Sequence, residues 1–417
     1  VRRPMATIDP GAPRGARDLP PAPDPPPAPP GDGAPGPGDE LRRRIEGTLR
    51  CYVDRRCEEA GGVDDAFRAQ LACAVARFAL HGGKRMRAAF LWWGWRAAGG
   101  RPRDDDAATA LRIAGALELL QTCALIHDDL MDDSALRRGL PALHVDFARR
   151  HRRDGMRGSP GAYGASMATL AGDLALAWAD DMFTEALPDG PVRRRVQEPW
   201  RAMRTEMVAG QFLDLHTQAE GGLSAATALR VAYLKSALYT VERPLHLGAA
   251  LRGAAPELVG ALRFVGHQAG LAFQLRDDLL GVFGDPRRTG KPAGDDVREG
   301  KTTYLVTLAL ARAEALGDAG ARTVLREGLG DRTLTPERLD RFRDVLTGLG
   351  VRADVEERIE RLSGLALRRL SRTCGDPVVC HGLAALVRAA AGTEPTGPTE
   401  PTGPTEPTGP TGPTEPP

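Results

Sequence analysis

The stretch LRIAGALELLQTCALIHDD, residues 111–129, carries apolar side chains at intervals of three and four, the period of a helix. AGDLALAWADDMFTEAL (171–187), LRVAYLKSALYTVERPLHLGAAL (229–251) and LRFVGHQAGLAFQLRDDLLGVF (262–283) repeat the pattern. The alternating and β-branched runs that strands need are scarce. A chain of this kind buries its apolar faces helix against helix. The expected fold is all-α, a single large helical bundle. Breaks are expected at Gly99–Gly100, Gly221–Gly222 and Pro286.

The ends read differently. Residues 1–39 are rich in Pro, Gly and Ala, and residues 393–417 repeat TEPTGP. Neither has enough apolar surface to offset the entropy of ordering, so both are expected to be disordered. They flank one helical domain at 40–392. A net charge of +1 gives no general attraction to nucleic acid or anionic lipid. The six cysteines are scattered without a CxxC pair and are expected as free thiols. The N-terminus has no apolar stretch of signal-peptide type, and no run of eighteen apolar residues occurs. A cytoplasmic protein without stable membrane insertion is expected. Trp92, Trp93 and Trp95 are too dense for one helix face and are expected in helix or dimer packing, with membrane contact as the alternative.

Acidic side chains supply the chemistry. Asp128, Asp129, Asp132 and Asp133 fall within six positions. On a helix Asp128 and Asp132 lie one turn apart on one side. Acids are unfavourable at the negative end of a helix, so a solvated patch explains them poorly. Oxygen ligands without His or Cys suit Mg²⁺, which takes few carboxylates and draws other ligands from water and substrate phosphates. A second pair, Asp277 and Asp278, lies on another apolar helix some 150 residues on. Two such helices facing each other suggest a diphosphate site with two or three metal ions. The chain has only four lysines, Lys84, Lys235, Lys291 and Lys301, in a background of arginine. They mark positions where a compact ammonium is wanted, two of them after glycine-containing turns that let backbone approach phosphate.

GGKRMR, HDDLMDDSALRRG, GQFLDL, KSALYT, AFQLRDD and GKPAGDDVREGKTT follow one another through the 40–392 region. In this order and spacing the sequence resembles the trans-isoprenyl diphosphate synthases, or polyprenyl synthetases, most of all those making geranylgeranyl diphosphate. The resemblance implies a bundle around a substrate tunnel, two or three Mg²⁺ per site and a homodimer. It implies Mg²⁺-dependent, head-to-tail condensation of isopentenyl diphosphate with an allylic diphosphate. Asp128 and Asp132 would bind Mg²⁺ on the allylic diphosphate, with Asp277 opposite and Asp129 and Asp278 completing the acidic pairs. Arg137, Lys235, Lys291 and Lys301 would hold that diphosphate. Lys84, Arg87, Gln121 and Arg138 would hold isopentenyl diphosphate without metal. Gln274 and Ser236 would face the reacting carbons, and His127 is expected to orient or pack.

The sequence departs from the family in places. The second motif reads Asp277-Asp278-Leu279-Leu280-Gly281, where a third Asp is usual. Asp285 lies roughly 12 Å further along a helix and cannot simply replace it. Gln121 stands where His is common, Ser236 where Thr is usual, and Ala88 where Pro is. For product length, Ala124 and Cys123 lie one turn below Asp128, and both are small. The product should pass them and stop deeper, at Leu120 or Leu117, or at Trp178 or Phe183 on a neighbouring helix. A C20 product is expected, with C15 and C25 or longer as alternatives. A class I terpene cyclase and a catalytically dead regulatory subunit are the rival readings. Gly281 is the one feature that supports the latter.

Overall fold

The computed structural model describes residues 37–221, 224–285 and 293–393. Residues 1–36 and 394–417 of the terminal low-complexity stretches, Gly222, Pro286 and Lys291 lie outside them. The first helix, Pro37–Gly61, begins three residues inside the segment expected to be disordered. Asp39 and Glu40 in its first turn complement the positive end of the helix.

Ala107–Met131, the first acidic helix, is buried nearly all round: Leu111, Leu117, Leu119 and Ile126 are all core residues. By length and composition it could cross a membrane, but 72% of its most apolar window is buried inside the fold. It is the central helix of the bundle, and its principal neighbour is Pro160–Ala186. Ser159 caps that neighbour by accepting from Ala162 N, and Pro160 opens it, the usual chemistry of a helix start. Trp92 and Trp95 are also core residues, with ring centroids 4.7 Å apart, and the half-buried Trp93 packs against the core beside Gly382, so internal packing uses all three tryptophans.

Three more elements face the central helix across a cavity. One is the wall helix, Pro191–Glu220. One is a π-helical segment, Ala232–Glu242. The last is the second acidic helix, Pro256–Phe283. π-Helical turns often mark functional positions, and this one carries Lys235 and Ser236. The helices end near the expected breaks, with Gly221 in a left-handed conformation after the wall helix. The all-α expectation holds, with one exception. Leu136–Arg137 pairs antiparallel with Leu140–Pro141 directly after the first acidic motif. Arg138 (φ 53°) and Gly139 (φ 77°) form its turn, both with the positive φ that a tight hairpin requires.

Candidate active site

A cavity of about 970 Å³ lies between the acidic helices. Asp128 lines it from the first, and Asp277 and Asp278 from the second. The wall helix adds Asp214, and the short helix Asp295–Arg298 adds Asp296. Lys235 Nζ donates to Asp214 Oδ2 at 2.8 Å and lies 3.1 Å from Asp128 Oδ1. Lys301 Nζ lies 2.7 Å from Glu299 Oε2, 3.2 Å from Asp132 Oδ2 and 3.4 Å from Asp296 Oδ1. Two ammonium groups thus tie carboxylates of separate elements together.

Each charge depends on the others. Burial alone would lower the pKa of Lys235, but Asp128 and Asp214 outweigh it and hold it above the ordinary lysine value. Lys301 is raised further, burial being opposed by Asp296, Asp132 and Glu299. For Asp128, burial pushes upward, yet Lys235, Lys301 and Arg137 bring it below the usual carboxylate range. Asp132 ends above that range because of burial, Lys301 notwithstanding, with Asp128 adding to the rise. Burial pushes Asp278 up to about 8, against a 2.8 Å hydrogen bond from Gln274 Nε2.

The donor chemistry fits a hard divalent cation. Asp128 Oδ1 and Asp132 Oδ2 are buried and receive no hydrogen bond among the described residues. Each faces a lysine ammonium, as it would face a cation. Among the described residues, no three such side chains converge closely enough to hold an ion alone.

A basic rim adjoins the acids. Arg137 Nε donates to Asp129 Oδ1 at 2.7 Å, and Arg138 donates to the His81 carbonyl. Arg85, in the left-handed region, bonds Glu118 Oε2 at 2.8 Å and the Ala79 carbonyl at 3.0 Å. This buried pair anchors the GGKR loop to the first acidic helix, with Lys84 and Arg87 on either side. Arg87 donates to Thr240 Oγ1 at 2.8 Å and lies over the Tyr239 ring. Burial, then Arg85, lowers the Arg138 pKa, with Glu118 opposing.

The cavity gathers most residues expected from the sequence: Leu120, Gln121, Cys123, Ala124, Arg137, Ser236 and Gln274 line it alongside Arg87, Lys235 and Lys301. Asp129 is 1% exposed and does not line the cavity, and its Oδ1 accepts from Arg137. Asp132 lies beside the cavity, its Oδ2 3.2 Å from Lys301 Nζ, and Lys84 and Arg138 are not among the residues that line it. The deep end also differs. Leu117, Trp178 and Phe183 are packed core and do not line the cavity. Arg201, Arg204 and Thr205 of the wall helix do, with Arg204 paired to Asp180 and lying over the Trp200 ring. His127 lines the cavity, with its Nε2 3.2 Å from the Thr169 carbonyl. Asp214, Asp296 and Glu299 were not expected individually, although GQFLDL and GDDVREGKTT contain them.

The polyprenyl synthetase family model matches residues 69–344. The chain is 32% identical to a short chain isoprenyl diphosphate synthase of Methanothermobacter thermautotrophicus over 70% of its own length and 83% of that protein. It is 34% identical to a geranylfarnesyl diphosphate synthase of Aeropyrum pernix, over 56% of this chain and 68% of that protein. Among solved structures it superposes, at TM-score 0.81 and 38% identity, on a geranylgeranyl pyrophosphate synthase of Corynebacterium glutamicum complexed with isoprenyl diphosphate and magnesium. That match covers 85% of this chain and 99% of that one. With the motifs, the helical bundle and the lysine-bridged carboxylates agreeing, the chain belongs to the polyprenyl synthetase family of isoprenyl diphosphate synthases and is a prenyltransferase.

Proposed function

We propose that the protein is a Mg²⁺-dependent geranylgeranyl diphosphate synthase. It condenses isopentenyl diphosphate with dimethylallyl, geranyl and farnesyl diphosphates. The observation that carries the reading is the depth of the cavity below its charged mouth. From Asp214 back to Arg201 the wall helix rises about 20 Å, close to four isoprene units of about 5 Å. Cys123 and Ala124 leave the passage open at the level where a bulky side chain would stop a shorter product. Arg201, which is exposed, and Arg204 line the far end of that wall.

In this reading Asp128, Asp132 and Asp277 hold Mg²⁺, which when bound neutralises the leaving diphosphate. Lys235, Lys301 and Arg137 grip the allylic diphosphate, and Lys291 joins them. Lys84, Arg87, Arg138 and Gln121 hold isopentenyl diphosphate across from it, so the reacting carbons are held together. The allylic C–O bond breaks and the diphosphate leaves with the electron pair. The double bond of isopentenyl diphosphate forms the new C–C bond, and a proton passes to the released diphosphate. Gln274 and Ser236 border the reacting carbons, and the apolar wall excludes water that would trap the cation. A homodimer belongs to this reading.

The test is incubation of purified protein with Mg²⁺, isopentenyl diphosphate and each allylic primer, with product lengths read by mass spectrometry. A dominant C20 product is expected. Dominance of C15 or C25 would overturn the length, and no elongation from any primer would overturn the reading.

A further inference from the structure

One continuous helical stretch runs from Ala225 to Leu251, and its middle part, Ala232–Glu242, is π-helical. The backbone stays in the right-handed region on entering it, at Val231, and on leaving it, at Arg243. At 11 residues the segment is long for a helix type that mostly appears as single turns. Tyr233, its second residue, donates from the phenol to Oε2 of Glu242, its last, at 3.2 Å and nine positions away. In an α-helix, side chains nine apart lie about 13.5 Å apart along the axis and, at about 100° per residue, on opposite faces. At roughly 4.4 residues per turn a π-helix completes about two turns over that span and brings them to one face. The hydrogen bond therefore closes in the π-helical register and not in the α-helical one.

Glu242 is itself held. It is 2% exposed, and its Oε1 accepts from Arg263 Nε of the second acidic helix at 2.9 Å. Gly266 of that helix makes room, since a Cβ there would stand 2.5 Å from Glu242 Cα. The next residue, Arg243, donates from Nε to Glu206 Oε2 of the wall helix at 2.8 Å. Between Tyr233 and Glu242 lie Lys235, Ser236, Tyr239 and Thr240, and all four line the cavity, whereas Tyr233 and Glu242 do not.

We propose that Tyr233 and Glu242 are positioning residues, whose hydrogen bond holds the segment in the π-helical register that brings Lys235 to Asp128 and Asp214. With Glu242 and Arg243 anchored to two neighbouring helices, α-helical spacing would swing Lys235, seven residues back, by about a third of a turn away from both carboxylates. The inference rests on the reading of Lys235 as a grip on the allylic diphosphate.

The test is a double-mutant cycle on the full chain, with kcat measured at saturating isopentenyl and allylic diphosphates and folding confirmed by Tm. Tyr233→Phe keeps the ring, whose centroid lies 4.6 Å from that of His267, and removes the hydroxyl alone. It should lower kcat at least about tenfold, as the misplacement of a reacting-site group does. In Lys235→Gln, with no ammonium left to position, the same change should alter kcat by less than about twofold. A crystal structure of Tyr233→Phe should show α-helical backbone bonds within 232–242. Wild-type kcat in Tyr233→Phe, an equal loss in both backgrounds, or a retained π-helical register overturns the assignment. Wild-type kcat in Lys235→Gln overturns the reading of Lys235 as a grip on the diphosphate, and the assignment with it.

Discussion

The backbone of Lys235 crosses Gly210 so closely that a Cβ at 210 would stand 2.8 Å from the Lys235 Cα. Asp214, the acceptor of the Lys235 ammonium, lies one turn further along the same helix. One glycine thus sets the distance between the wall helix and the π-helical segment, and so the place of the lysine. Gly210→Ala should push the two apart, cost about 1–3 kcal/mol of stability as overpacking does, and lower kcat. Denaturant unfolding and steady-state kinetics check both. Unchanged kcat in a folded variant would refute the link between this approach and the site.

Lys235 also joins Asp214 to Asp128, so its removal leaves buried carboxylates without their partner. Lys235→Gln should lower kcat by about two to three orders of magnitude, the usual loss for a preorganised donor to developing charge. The comparison is kcat at saturating allylic substrate, with folding confirmed by circular dichroism.

The depth of the cavity predicts product length in both directions. Ala124→Phe places a ring where the passage is open and should shift the main product from C20 toward C15. Arg204→Ala removes the guanidinium that lines the deep end and pairs with Asp180. It should allow products longer than C20. Mass spectrometry reads both, and a C20 product from Ala124→Phe would show that the growing chain takes another route.

Stability should fall in mild acid through His246. Burial first, then Arg243 and Arg263, lower its pKa from 6.5 to about 4, with Glu206 opposing. Its Nδ1 lies 3.3 Å from Arg243 Nη1. Between pH 6.5 and about 4 the unfolded chain binds a proton that the folded chain refuses. The contribution is therefore complete above pH 6.5 and is lost as pH falls toward 4. Urea unfolding at pH 7.5 and pH 5 should show a smaller drop for His246→Gln than for wild type. An equal drop would remove His246 from the account.

Much of the architecture was legible in one dimension. Apolar residues at helical spacing mark the long helices because a buried helix must repeat every 3.6 residues. Asp128, Asp277, Lys235 and Lys301 stood out because clustered acids and rare lysines are conspicuous in a chain that otherwise uses arginine. Asp129 shows the limit. It stands beside Asp128 in the sequence, but neighbouring helical residues point about 100° apart, and its Oδ1 accepts from Arg137, a contact that the motif does not announce. The hairpin that presents Arg137 and Arg138 was missed, since two residue pairs are too short for an alternating pattern to register.

The sequence by itself determined the helices and the identity of the charged groups, because periodicity and residue chemistry are local properties. The tertiary structure decided which charges meet and where the cavity ends. Lys235 finds Asp214 and Asp128, Arg204 lines the deep end of the cavity, and Asp296 enters the space above Gly281. Each of these depends on how closely two separate backbones approach, and that distance is set only when the helices pack.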